Sequence, residues 1–270
     1  VRLSVVYSPI RSANSTHASG RDGYIIILRD ITKQKSLEDE RDEFISVVSH
    51  ELRTPIAIAE GSLSNVQLMM ERPDIPQSTL HDGVNAAHQQ VVFLAKMAND
   101  LSTLSRAERG VADTPELIDV AELISELYAE YSPEATEKSL YFDLDLDPQL
   151  GAVNESRLYL KELLQNIITN AIKYTQTGGV TVSVKRSAPR LLTFTVKDTG
   201  IGISRSDQQH LFQKFWRSED YRTRETGGTG LGLYVAHKLA KKLNTTIELK
   251  SRLNHGSTFS FSLPSTKRRK

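Results

Sequence analysis

The sequence predicts a multidomain protein of α and α+β class, in which a dimeric antiparallel four-helix bundle precedes an α/β sandwich domain. Two apolar stripes with alternating steps of three and four residues follow each other along residues 45–101, separated by a short turn. After residue 120, short apolar segments interleave with helical ones, without the regular strand–helix–strand order of a parallel sheet. A length of 270 residues is enough for two domains of ordinary size.

The first 32 residues predict two short strands joined by a polar stretch. Residues 3–7 alternate between apolar and polar side chains, and residues 23–28 form an apolar run bounded by turn residues. The stretch between them, residues 11–21, is polar. Because two strands alone bury too little surface to be stable, this segment needs either further strands or support from the rest of the chain.

A long helix is predicted to begin near Thr32, whose hydroxyl can cap it. Pro55 lies within this helix and should kink or loosen it. A turn at residues 71–76 leads to a second helix, so the two should form an antiparallel hairpin. Since each helix has one strong apolar face, two hairpins would pair into a four-helix bundle, which predicts a homodimer. The two stripes consist of Ile45, Val48, Leu52, Ala59, Leu63, Val66 and Met70, and of Leu80, Val84, Ala87, Val91, Leu94, Ala98 and Leu101.

The second half of the chain predicts an α+β sandwich with helices on one face of a sheet. The stretch at residues 109–115 has the composition of a linker between this part and the helical hairpin. Helices are predicted at residues 120–131, 156–174 and 231–243, and strands at residues 140–146, 180–185, 192–197, 246–251 and 258–263.

Composition argues against several classes of function. A net charge of +1 creates no field that would draw the chain to nucleic acid, and the basic residues 267–270 have the character of a solvated end. The absence of cysteine excludes disulfides, thiolate metal sites and a thiol nucleophile. No apolar run approaches the roughly 20 residues of a membrane helix. We therefore expect a cytoplasmic fragment of a longer protein, which contacts a membrane only if an anchor lies in a missing N-terminal part.

His50 is the first candidate catalytic residue. At about 100° per residue it lies roughly 140° from the apolar stripe at Ile45, so it should face solvent. Neutral imidazole can accept a phosphoryl group near neutral pH, and the adjacent Glu51 can polarise the ring or take its proton. Thr54 adds a hydroxyl on the neighbouring turn. An exposed histidine on a helix usually has no such role, so this interpretation depends on the other motifs.

Five motifs resemble those of sensor histidine kinases, in the order in which that family has them. Residues 44–56, FISVVSHELRTPI, closely resemble the H-box, which is specific at this length. Asn166 and Asn170 in the second motif are four residues apart and share one helix face. The remaining motifs are LLQNIITNAIKY at residues 163–174 (N-box), DTGIGI at 198–203 (G1 box), FQKFWR at 212–217 (F-box) and GGTGLGL at 227–233 (G2 box).

The residue types in these motifs suit a nucleotide site. A carboxamide such as that of Asn166 offers oxygen to Mg²⁺ and N–H to phosphate without adding negative charge. Asp198 can accept a hydrogen bond from the exocyclic amine of adenine, and the glycines beside it permit a close approach of the backbone. The glycine-rich residues 227–233 precede a helix and present N–H donors to phosphate, without being a Walker loop or a dinucleotide fingerprint. The charged stretch 217–225 is expected to be a mobile lid over the nucleotide.

The resemblance implies a kinase that transfers the γ-phosphate of ATP to its own His50, with Glu51 as the base. The phosphoryl group would then pass to an aspartate in the receiver domain of a response regulator. Thr54 is implied to orient water in a second, phosphatase activity toward that regulator. The implied cofactors are ATP and Mg²⁺, with Asn166 as the metal ligand and Asp198 as the adenine acceptor. The other residues implied to bind nucleotide are Asn170, Lys173, Tyr174, Gly200, Gly202, Gly228, Thr229, Gly230, Leu231 and Gly232.

The resemblance also implies a domain organisation. Residues 1–32 resemble the closing strands of a PAS sensor domain, and residues 33–43 the signalling helix that follows it. Residues 44–110 would be the dimerisation and histidine phosphotransfer hairpin, residues 115–265 the catalytic ATP-binding domain, and residues 266–270 a basic tail.

Two alternative functions are compatible with parts of this pattern. One is an ATPase of the same fold that uses water as the acceptor, as a chaperone relative would. Acid-labile, base-stable label on the chain would exclude it. The other is a non-catalytic dimeric scaffold that binds a regulator, which an absence of nucleotide binding would support.

Overall fold

The computed structural model describes residues 1–10, 23–72, 74–109, 114–148, 150–218, 220, 222 and 228–266. The predictions for the polar stretch 11–21 and the basic tail 267–270 lie outside these residues, as do most of the linker 109–115 and much of the lid 217–225. The chain divides into two compact units, Val1–Val91 and Val92–Lys270.

The first unit begins with a two-stranded antiparallel ribbon. Strand β1 (Leu3–Ile10) pairs with β2 (Gly23–Asp30), with Leu3 opposite Asp30. Both predicted strands are present and longer than predicted. The apolar side chains of β1 and β2 stay at least half exposed, among them Val5 and Ile26. The ribbon therefore buries little apolar surface in the described residues, as expected of two strands without further partners.

Helix α1 (Thr32–Met70) follows the ribbon directly. The prediction that the Thr32 hydroxyl caps α1 is wrong, because Thr32 is the first helical residue and its hydroxyl accepts a hydrogen bond from the Arg2 N–H at 2.7 Å. The Asp30 carboxylate instead accepts from the Thr32 N–H at 2.9 Å. Hydrogen bonds from Thr32 keep the pKa of Asp30 below its usual value. The helix continues unbroken through Pro55, which is buried.

Helix α2 (Gln77–Arg109) begins in the first unit. Near the turn it packs tightly on α1, because a Cβ on Gly83 would overlap the Val66 side chain. Val66 and Ala87 of the predicted stripes are buried. Four other members remain about half exposed in the single chain, namely Ile45, Leu63, Val84 and Val91.

The last half of α2 belongs to the second unit and departs from the predicted stripe. In the single chain, Ala98 is exposed and Leu101 is half-buried. A neighbouring face is buried instead, at the helical spacing of Met97, Asp100, Leu104 and Ala107. This face includes Asp100, which is hydrogen-bonded to Thr229 of the second unit.

The rest of the second unit is a mixed sheet with helices packed on it, as predicted. Among the described residues, the strand order is β3-β5-β9-β7-β6-β4, with β8 paired to β9, and β4–β6 is a parallel pair. The strands are β3 (Glu116–Asp119), β4 (Tyr141–Leu146), β5 (Ala152–Glu155), β6 (Gly179–Ala188), β7 (Leu191–Asp198), β8 (Glu248–Ser251) and β9 (Ser257–Thr266). The helices are α3 (Val120–Glu137), α4 (Arg157–Lys173), α5 (Arg205–Gln208) and α6 (Gly232–Lys242).

Helix α4 forms the centre of the core. It packs against α3, α6 and the strands β6 and β7. Its start is fixed by Ser156, whose hydroxyl accepts a hydrogen bond from the Tyr159 N–H at 3.2 Å, as an N-cap should. Phe194 and Phe261 stack on adjacent strands with ring centroids 5.0 Å apart. This packing holds one end of α4 beside the carboxyl end of β7, where the candidate site lies.

Among the described residues, no helix has both the length and the hydropathy that a membrane crossing requires.

Candidate functional site

His50 lies on the solvent side of α1, as the helical wheel predicts. Its side chain is 76% exposed, and that of the neighbouring Glu51 is 47% exposed. The His50 Nδ1 lies 4.0 Å from the Glu51 Oε1, which is longer than a hydrogen bond but within reach of a small rotation. Thr54 is also exposed, one turn further along the helix. An imidazole, a carboxylate and a hydroxyl are thus accessible together on one stretch of α1.

The second unit contains a cavity at the end of α4. Its wall includes ten of the twelve residues that the sequence predicts to bind nucleotide: Asn166, Asn170, Lys173, Tyr174, Asp198, Gly202, Gly228, Thr229, Gly230 and Gly232. The other two, Gly200 and Leu231, are absent from the lining. Gly200 packs against the Tyr174 carbonyl, and the Leu231 side chain is buried in the core. These two residues support the wall rather than form it.

Asp198 ends strand β7 and is 6% exposed. Its Oδ1 accepts hydrogen bonds from the Gly200 N–H at 2.8 Å and the Ser257 N–H at 3.1 Å. Within the described residues Oδ2 accepts none, so it is left for a donor in the cavity. Burial raises the pKa of Asp198, and the two backbone N–H groups act against that rise. The result is a fixed acceptor at one end of the cavity.

Two glycines are required by the geometry of the wall. Gly202 has a φ of 65°, a left-handed conformation that favours glycine, and a Cβ there would overlap the Arg252 carbonyl. Gly232 opens α6, and a Cβ on it would lie 2.8 Å from the Asn166 Oδ1. The start of α6 therefore approaches α4 closely, and its first backbone N–H groups have no partner within the helix.

The wall of the cavity also carries positive charge. Lys173 and Arg217 both line it, and the Lys173 Nζ lies 3.1 Å from the Tyr174 hydroxyl and 4.7 Å from the centre of its ring. Burial, followed by the charges of Lys96, Arg217 and Lys138, lowers the pKa of Lys173 to about 8. Such a group gains most from a negatively charged ligand, which polyphosphate would supply.

Asn166 is suited to hold a metal ion. It is 5% exposed, and its Nδ2 donates to the Glu162 carbonyl at 2.9 Å, so Oδ1 remains available beside Gly232. Within the described part of the chain, no group of three or more His, Cys, Asp or Glu could hold a metal. Oxygen ligands on a bound phosphate would complete the shell that Mg²⁺ prefers. The residues present therefore fit Mg²⁺ held jointly by Asn166 and phosphate.

The Thr229 hydroxyl has an unexpected partner. It donates to the Asp100 Oδ2 at 3.1 Å and accepts from the Leu231 N–H at 3.2 Å. Asp100, on α2, is 6% exposed, and its burial raises its pKa. The side chain of Thr229 is thus committed to α2 and to the turn before α6, which leaves the backbone of this segment for phosphate.

Several residues of the wall are missing from the sequence prediction. Leu253, Ser257 and Phe259 come from the segment around β8 and β9, and Lys96 comes from α2. No local pattern marks these positions as nucleotide-binding, because tertiary packing alone brings them to the cavity. Ile201 and Leu233 belong to recognised motifs, whose spacing could have found them.

We expect the affinity for ATP to fall as the pH rises through the pKa of Lys173, about 8. Phosphate favours the charged form, so the pKa of Lys173 is higher in the complex, and binding takes up a proton between the two values. Calorimetry in buffers of different ionisation enthalpy, at about pH 8.5, measures this uptake. It should disappear in Lys173→Met and persist in Lys185→Met, where the lysine is exposed and paired with Asp145. Equal uptake in the two variants would contradict the assignment.

Two family models match the chain. The model described as "His Kinase A (phospho-acceptor) domain" matches residues 40–110, and that of the "Histidine kinase-, DNA gyrase B-, and HSP90-like ATPase" matches residues 155–267. Together they cover most of the chain. A phosphoacceptor domain followed by this ATPase domain defines the histidine kinases.

Relatives and solved structures agree with the family models. The chain is 33% identical over 264 residues to the sensor histidine kinase WalK of Bacillus subtilis, covering 90% of this chain and 40% of WalK. The Acinetobacter baumannii histidine kinase AdeS has a similar structure, with a TM-score of 0.62 and 27% identity over 81% of this chain and 98% of AdeS. Histidine kinase ThkA, solved in complex with the response regulator protein TrrA, shares the fold, with a TM-score of 0.64 and 22% identity over 97% of this chain and 75% of ThkA.

The chain belongs to the sensor histidine kinases of two-component systems. It spans less than half the length of WalK.

Proposed function

We propose that this chain is the kinase core of a sensor histidine kinase, which transfers the γ-phosphoryl group of ATP to His50. The observation that carries the proposal is the cavity of the second unit. It combines an acceptor at Asp198, cations at Lys173 and Arg217, and the glycine-rich start of α6. This set of groups matches an adenine nucleotide from base to phosphate, and the chain also carries an exposed histidine in a phosphoacceptor domain.

Asp198 would accept a hydrogen bond from the adenine amine through its available Oδ2. Lys173, Asn170 and the backbone N–H groups at the start of α6 would hold the phosphates. Asn166 would bind Mg²⁺ through Oδ1. Bound Mg²⁺ neutralises charge on the phosphate oxygens during phosphoryl transfer. The protein thus contributes mainly positioning and charge compensation.

At His50, the position of Glu51 favours one tautomer. The carboxylate lies on the Nδ1 side of the ring, which favours a proton on Nδ1 and leaves the Nε2 lone pair for attack. The Nε2–phosphorus bond forms while the bond between the γ-phosphorus and the bridging oxygen of ADP breaks. The Nδ1 proton is held or accepted by Glu51, which balances the charge that develops on the ring.

The proposed partners are a second copy of the chain and a response regulator. The half-exposed residues Ile45, Leu63, Val84 and Val91 lie on the predicted seam, and a four-helix bundle between two hairpins would bury them. The receiver domain of a regulator would take the phosphoryl group from His50 onto an aspartate. The fold that the chain shares with ThkA, whose complex contains a response regulator, is compatible with this partner.

The domain organisation forms part of the proposal. Residues 1–32 would close a PAS domain, residues 33–43 would form the signalling helix, residues 44–110 the phosphotransfer hairpin, and residues 115–265 the ATP-binding domain. The exposed apolar ribbon supports the first assignment, because further strands of a larger sheet would cover it.

The test of the proposed function uses ATP labelled at the γ-phosphate, together with Mg²⁺. We expect label on the chain that resists alkali and is lost in acid, as a phosphorus–nitrogen bond requires. Release of inorganic phosphate with no label on the chain would favour the ATPase alternative. A chain that binds no nucleotide would favour the scaffold.

A second activity, dephosphorylation of the regulator, is proposed from the exposed Thr54 one turn after His50. We expect Thr54→Ala to lower the rate of dephosphorylation about 10-fold or more, since a hydroxyl that orients water is lost. The measurement uses a phosphorylated receiver domain that accepts phosphate from this chain. Ser64→Ala, which removes another exposed hydroxyl of α1, is the matched control. Full phosphatase activity in Thr54→Ala would refute the role.

A further inference from the structure

The last half of α2 reaches the nucleotide cavity of the second unit, although it is part of the helical hairpin in sequence. This half of the helix belongs to the same compact unit as the cavity, and Met97 on it is fully buried, with Leu104 and Ala107 nearly so. Asp100, on the same face, accepts the hydrogen bond from the Thr229 hydroxyl. The hydrogen bond between Asp100 and Thr229 thus joins α2 to the glycine-rich segment before α6.

Lys96 lies one turn before Asp100 on α2 and lines the cavity. It lines the wall together with two other cations, Lys173 and Arg217. The charge of Lys96 helps to lower the pKa of Lys173, and only burial lowers that pKa more. Within the described part of the chain, no carboxylate lies within the 4.0 Å of an ion pair from Lys96.

The charges around Lys96 leave it available to a ligand. Asp100 is a carboxylate on the same helix as Lys96. The charge of Lys96 acts to lower the pKa of Asp100, but burial raises it more. Glu162, on α4, is close to Asp100 and has a raised pKa because it is buried. The charges of Lys96, Arg217 and Lys138 all act on Lys173. Three cations close together in one cavity repel one another, and a polyphosphate would relieve that repulsion.

We propose that Lys96 is a phosphate-binding residue of the nucleotide site, supplied by α2 rather than by the ATP-binding domain. This inference deepens the proposed function and rests on it. Lys96 donates from its ammonium group to the β- or γ-phosphate, and the Asp100–Thr229 bond positions the helix that carries it. The nucleotide is consequently held by α2 as well as by the ATP-binding domain. Its polyphosphate tail favours the position of α2 in which Asp100 is bonded to Thr229.

The test is the affinity of the full chain for ATP, ADP, AMP and adenosine, measured by calorimetry. We expect Lys96→Gln to weaken the binding of ATP about 10-fold, because one charge-assisted hydrogen bond to phosphate is lost. Adenosine should bind Lys96→Gln as it binds the wild type, since it has no phosphate. Lys96→Arg should retain most of the affinity for ATP. Arg106→Gln is the matched control, because it removes the same charge from an exposed position of α2 that does not line the cavity.

Three outcomes would overturn the proposal. If Lys96→Gln and Arg106→Gln change the affinity for ATP equally, the effect is one of net charge. If Lys96→Gln weakens ATP and adenosine to the same extent, Lys96 shapes the cavity without binding phosphate. If wild-type chain binds ATP normally and Lys96→Gln does too, Lys96 has no role, while the proposed function stands. Failure of the wild type to bind ATP would remove the proposed function itself.

Discussion

The chain with His50→Gln should incorporate no phosphate from ATP. Glutamine keeps a polar side chain of similar reach but has no nitrogen lone pair that can attack phosphorus. Since the His50 side chain is 76% exposed and packs against little, the substitution should not disturb the fold. The measurement is acid-labile, alkali-stable label on the chain, followed over time with Mg²⁺ and ATP. Binding of ATP, measured separately, should be unchanged, because His50 is not part of the cavity wall.

His88→Gln is the control for this variant. His88 is likewise exposed, on α2, and its replacement should leave the incorporation of label intact. If the His50 variant acquires label of the same lability at the rate of the control, another residue is the acceptor and the assignment fails.

Asp198→Asn should lose most of the affinity for ATP, about 100-fold or more, since a charged acceptor is lost and a donor faces the donor of the base in its place. The direction follows from the two oxygens of Asp198. Oδ1 is held by the N–H groups of Gly200 and Ser257, so an asparagine would keep its oxygen there and turn its amide nitrogen into the cavity. That nitrogen is a donor, and it would meet the amine of adenine, which is also a donor.

Calorimetry with ATP measures this loss, and thermal unfolding checks the fold. The melting temperature of Asp198→Asn should not fall, because the backbone hydrogen bonds persist and a buried charge is removed. Asp143→Asn, at an exposed position of β4, provides the control for the change of charge. Wild-type affinity for ATP in Asp198→Asn would show that Asp198 does not contact the base.

Features that depend on local periodicity are predictable from the sequence. The exposure of His50 follows from its angle to the apolar stripe, and the shared face of Asn166 and Asn170 follows from their spacing. The strands β6, β7 and β9 are long enough to show their pattern. By contrast, β3 and β5 have four residues each, too few for alternation to distinguish them from loops.

Features that depend on tertiary partners are not predictable in this way. Thr32 has a residue type typical of a helix cap, but it is the first helical residue, its hydroxyl accepts from the Arg2 N–H, and its own N–H donates to the Asp30 carboxylate. The stripe of α2 continues in the sequence through Ala98, yet in the single chain the buried face is the one with Met97 and Asp100, and Asp100 is hydrogen-bonded to Thr229. The same packing brings Lys96 to the cavity.

The unbroken course of α1 sets an angular relation between the ribbon and the phosphoacceptor. The hydrogen bonds of Arg2 and Asp30 to Thr32 fix the start of the helix to the strands, and Arg2 also pairs with Asp39 at 2.8 Å. From Thr32 to His50 the helix makes about five full turns at about 3.6 residues per turn, so both residues point in the same direction. One inserted residue would rotate His50 by about 100° relative to the ribbon, and seven would restore its direction to within about 20°. The direction in which His50 points relative to the strands therefore depends on the exact number of residues in α1 between Thr32 and His50, and not on the length of the helix alone.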